Sequence, residues 1–154
     1  MGQFFTFQGI GNAQITERLP KFRDGFVGIV QIARTEVVRT RNAGDKLFVE
    51  VVVAESNDPG THPVGQRYSW GQSLLDANVS GGALKSFLAA VAGVDVSDKD
   101  KMAQLEPQMD PVMTQAVAQP DNNALTGRYV RLETRHTKTQ NNRDFIVHTW
   151  TPYT

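Results

Sequence analysis

Residues 46–55, KLFVEVVVAE, constrain this chain more than any other stretch. Leu47, Val49, Val51 and Val53 fall on one side of a period of two, and Phe48, Glu50, Val52 and Ala54 on the other. That period, carried by β-branched residues, marks a strand with one continuous apolar face. The chain is therefore read as mainly β.

The neighbouring segments extend the pattern. Residues 25–40 read as a long strand whose alternation slips near Ala33–Thr35, which predicts a bulge and a bend. The run RNAGD at 41–45 supplies turn residues between the two strands. Residues 64–74 read as a third strand, with Tyr68 and Trp70 on one face and Arg67 and Ser69 on the other. Gly81 and Gly82 punctuate the chain. Leu84, Phe87, Leu88 and Val91 then recur at helical spacing over 83–92, with Gly93 as the cap. Residues 94–124 are acidic and carry Pro107, Pro111 and Pro120, so they read as an irregular insertion with a short helix at 111–118. Strands return at 125–135 and 143–150, joined by a polar turn, and only one of Phe145 and Trp150 can face the core. Residues 1–24 form an irregular N-terminal extension.

Three strands, a helix and two more strands, with a long bent first strand, are what a five-stranded OB-fold barrel needs. The expected fold is one such domain over residues 1–154, with its helix between strands three and four; other α+β folds share this order. The length of 154 residues suits one domain with a core of its own.

Composition removes several classes of function. There is no cysteine, so disulfides and thiolate metal sites are excluded. Lys and Arg total 16, as do Asp and Glu, which excludes a uniformly basic coat. The balance is uneven along the chain: residues 76–124 hold 3 basic and 7 acidic side chains, and residues 125–154 hold 5 basic and 2 acidic. No window approaches the roughly 20 apolar residues of a membrane span, and the N-terminus is unlike a secretory signal. A cytoplasmic protein is expected.

Three segments resemble a family of bacteriophage single-stranded DNA-binding proteins with an OB fold. They are GFVGIV at 25–30, LKSFLAAVAG at 84–93, and the final hairpin, LTGRYV at 125–130 with TKT at 137–139 and DFIVHTW at 144–150. The resemblance implies sequence-tolerant binding of single strands in phage replication or recombination, in the host cytoplasm. It also implies replication or recombination proteins as partners. Many proteins of this function recruit partners through an acidic C-terminal tail; residues 150–154, WTPYT, carry no acid, so recruitment of that kind is not expected.

The residues themselves offer the same chemistry. Single-strand binding needs cations for phosphates and aromatic faces for bases. An OB fold binds on strands two and three, flanked by the loops joining strands one–two and four–five. The first loop carries Arg39, Arg41 and Lys46; the second carries Arg135, His136, Lys138 and Arg143. Phe48, Arg67, Tyr68 and Trp70 complete the expected nucleic-acid site, with Phe48 and Trp70 as solvent-facing stacking residues. The acidic segment 94–124 is expected to lie away from this face, since it would repel phosphate.

Catalytic patterns are poor. There is no Gly-x-Ser-x-Gly elbow and no phosphate-cradling Gly-x-x-x-x-Gly-Lys loop. His136 and His148 could meet across the last hairpin near Asp144, but a loop polar residue and a strand residue explain them as well. No enzyme, cofactor or metal is expected. The competing class is a structural or adaptor β-barrel in a virion or assembly. A homo-oligomer is compatible with either.

Overall fold

The computed structural model describes residues 19–40, 44–73 and 77–153, with backbone alone at 39, 40, 44 and 77–81. Strands β1 (Val27–Thr40), β2 (Gly44–Ser56) and β3 (Arg67–Ser73) are followed by helices α1 (Ala77–Val91) and α2 (Lys99–Ala118). Strands β4 (Tyr129–Lys138) and β5 (Asp144–Pro152) complete the order. The five strands form one antiparallel sheet in the order β3-β2-β1-β4-β5. No ladder joins β3 to β5 among the described residues, so the sheet is not closed.

β1 serves both halves of the sheet. It pairs with β2 along its whole length but with β4 only from Val27 to Gln31. The register shifts between Ile32 and Arg34, where the sequence predicts a bulge, and again between Ile29 and Val30. Beyond Gln31 the free edge of β1 is taken over by the loop before β4. There Ile32 exchanges hydrogen bonds with Gly127 and Arg128, and Thr35 N–H donates to Pro120 O. At Gly28 a side chain would run into the Glu55 carbonyl and the Phe26 ring, so only glycine lets the strands approach this closely.

The apolar face read from β2 is the core face. Leu47, Val49, Val51 and Val53 are buried, together with Val30 and Ile32 of β1, Tyr68 and Trp70 of β3, and Val130 and Leu132 of β4. Helix α1 adds Phe87, Leu88 and Val91. The Phe87 ring touches both tryptophans, with centroids 5.3 Å from Trp70 and 4.9 Å from Trp150. Full burial of a side chain of this size is worth roughly 1.5–3 kcal/mol. Of the pair at the last strand, Trp150 is core and Phe145 is exposed.

Both helices are longer than the sequence suggests. α1 runs through Gly81 and Gly82, because packing against β5 outweighs their weak propensity. It ends as predicted: Gly93 takes φ 77°, Gly93 N–H bonds Ala90 O, and Val94 N–H bonds Ala89 O. Segment 94–124 is not irregular. Most of it is α2, capped by Asp98, whose side chain accepts from Lys101 N–H. Pro107 and Pro111 lie inside this helix. Both are exposed, and the buried Met102 and Ala116 anchor the helix on either side of them.

The described part of the N-terminal extension is latched to the sheet. Ser69 N–H donates to Pro20 O at 3.0 Å, and Arg23 N–H to His62 Nε2 at 3.0 Å. Thr134 is the hub: its hydroxyl donates to Arg23 O at 2.6 Å and accepts from Phe26 N–H at 3.0 Å.

Candidate nucleic-acid interface

The ladders decide which side chains share a face. Trp70 pairs with Val49 and Tyr68 with Val51, so both aromatics point with the core valines. Tyr68 is 5% exposed and Trp70 6%. The Tyr68 ring stacks on Phe22 at 4.3 Å, its hydroxyl donates to Thr61 O at 3.4 Å, and burial raises its pKa. The expectation that Trp70 faces solvent is corrected here: register puts it on the side opposite Phe48, which pairs with Gly71.

Phe48 does lie on the outer face, half-buried, with its ring edge against Gly71. Around it the outer face of β1–β3 is charge-compensated. Arg67 is 3.7 Å from Glu50, and Arg34 is 2.7 Å from Glu36 and 2.9 Å from Asp121. The Glu36 hydrogen bond is the main reason that the Arg34 pKa is raised. Asp121 belongs to the acidic segment, so the end of that segment reaches this face instead of lying away from it.

The two basic loops behave differently. Arg41 lies outside the described residues. The Arg39 backbone pairs with Asp45, and Lys46 stands opposite Val38 and Ser73. On the other side, Arg135 and Lys138 belong to β4 itself, because the strand runs three residues further than the sequence suggests. Arg143 ends a tight turn held by hydrogen bonds between Thr139 and Arg143, with Asn142 at φ 59°.

Alternation along β4 and β5 gives the hairpin an outer face that the sequence only half reveals. Tyr129, Arg131, Glu133 and Arg135 project there; Phe145, Val147, Thr149, Thr151 and Tyr153 join them from the other strand. Tyr129, Phe145 and Tyr153 are 44%, 54% and 53% exposed. The Tyr129 and Tyr153 rings lie 5.8 Å apart. Among the described residues no carboxylate lies within ion-pair distance of Arg131, Arg135, Lys138 or Arg143. Glu133 is the single acid on this face.

The histidines do not converge. His136 Nε2 is 3.0 Å from Asp144 Oδ1 on the hairpin. His148 stands opposite Thr134 and turns inward, toward a cleft of about 400 Å³ between β3 and β5 that Phe22, Trp70, Gln72 and Ile146 also line. Its Nδ1–H donates to Ile146 O at 3.2 Å, its Nε2 is buried without a partner, and burial lowers its pKa to about 4. No group of three metal-ligating side chains occurs among the described residues. No described helix is long and apolar enough to cross a membrane. No protein-family model matches the chain, and no curated protein matches it.

Proposed function

We propose that this chain binds single-stranded DNA with little sequence preference, in the replication or recombination role that the family resemblance implies. In this reading the open sheet is a partly open OB barrel. Its strand order, the bent β1 shared by both halves and the helical stretch between β3 and β4 support that. So does the packing of the unpaired edge strands against each other through Trp70 and Trp150, 5.1 Å apart.

One observation carries the functional reading: the outer face of the last hairpin combines Arg131 and Arg135 with three exposed aromatic rings and a single acid, Glu133. Cations track phosphates, and rings stack on bases of any identity. On that face Arg131 and Arg135 are the cations, and among the described residues neither has a carboxylate within ion-pair distance. The test is a fluorescence titration with labelled oligo-dT at two salt concentrations. Binding that weakens steeply with salt is the expected result, with a log–log slope of about −0.7 per phosphate contact. No binding at low salt would overturn the proposal and leave the adaptor reading in its place.

A further inference from the structure

We infer that the strand runs along the outer face of the β4–β5 hairpin, held at two aromatic ends, and that this spacing sets the length of nucleic acid the protein grips. The inference rests on the single-strand reading above and deepens it. It departs from the sequence-based placement on β2 and β3, where Trp70 is buried and Arg34 and Arg67 stand beside carboxylates.

At one end of the hairpin Tyr129 and Tyr153 form a paired aromatic platform. At the other, Phe145 stands opposite Thr137 with more than half of its surface exposed. Between them Arg131 faces Thr151 and Arg135 faces Val147. A single exposed Phe is ordinary, but Phe145 and two exposed tyrosines on the same face make a pattern. The order is aromatic, cation, acid, cation, aromatic, with Glu133 opposite Thr149 between the two arginines. A single strand offers the matching order, with bases to stack at either end and phosphates between.

Eight residues of β4 separate the two ends, about 27 Å at the rise of an antiparallel strand. That distance spans about eight nucleotides at the 3.4 Å B-form rise, and fewer when the strand is stretched. A four-nucleotide oligomer at that spacing reaches one end only.

The experiment titrates the full chain with labelled dT4, dT8 and dT16. Wild-type affinity should rise at least tenfold from dT4 to dT8. Phe145→Ala, and separately Tyr129→Ala with Tyr153→Ala, should each weaken dT8 by about 5- to 140-fold, the range for loss of one stacking contact. Tyr129→Phe with Tyr153→Phe should restore dT8 binding, because the ring and not the hydroxyl stacks. If Phe145→Ala fails to fold, Phe145→Leu keeps apolar volume and still removes the ring. Wild-type binding of dT8 together with undiminished binding by both ring-deleted variants would overturn the inference and leave single-strand binding intact. Failure of the wild type to bind dT16 would instead overturn the function on which it rests.

Discussion

Trp70 of β3 and Trp150 of β5 bring their rings to 5.1 Å, although their strands sit at opposite edges of the sheet and share no ladder. The sheet therefore curls until its two edges meet through side chains, with Phe87 of α1 against both rings. Trp70→Ala should cost about 3–5 kcal/mol of stability, as for a large core truncation. Urea unfolding of the variant and the wild type measures it. Oligo-dT binding by the fraction that stays folded should be unchanged, because the ring lies in the core and away from the proposed binding face.

Two arginines allow the binding face to be located by charge. Arg135 has no ion-pair partner among the described residues, whereas Arg67 is 3.7 Å from Glu50. Arg135→Ala should reduce the magnitude of the salt slope by about 0.7, one phosphate contact on a single strand. Arg67→Ala should leave it unchanged. Titrations at four salt concentrations separate the two, and the opposite pattern would move the site back to β2 and β3.

His148 makes stability depend on pH. Burial lowers its pKa from an ordinary 6.5 to about 4. Between those values the unfolded chain binds a proton that the folded chain refuses, so stability falls as the pH drops from about 6.5 toward 4. Below about 4 both states are protonated and this contribution to the slope ends. The loss reaches at most about 3 kcal/mol. His62, whose pKa burial also lowers, acts in the same direction. Melting temperatures across this range should fall in the wild type and fall less in His148→Gln.

Gly28 tests the close approach of β1 and β2. A side chain there would strike the Glu55 carbonyl and the Phe26 ring, and neither can swing aside freely. Gly28→Ala should destabilise by at least about 1–3 kcal/mol, the usual range for overpacking. A melt equal to that of the wild type would mean that the strands can separate there without cost.

Several features were legible in the chain before folding. The period of two over residues 46–55 identifies the core valines, and its slip near Ala33 marks the bulge. The left-handed Gly93 ends α1. Of α2 only the end, residues 111–118, was legible; Pro107 and Pro111 argue against a helix that runs through them, and the burial of Met102 and Ala116 outweighs that. Local preference is worth a few kcal/mol at a proline, and packing can exceed it.

The candidate site divides along the same line. By itself the sequence determined two sets of side chains on each strand and concentrated basic residues near the last hairpin. Which sets meet was decided by the tertiary structure: the Val49–Trp70 and Phe48–Gly71 rungs bury one aromatic and leave the other outside. Likewise, Asp121 reaches Arg34 from 87 residues away, and no local pattern encodes that pairing. Alternation gives a strand two faces, but register chooses between them, and a slip of a single residue would exchange every inside and outside position along it.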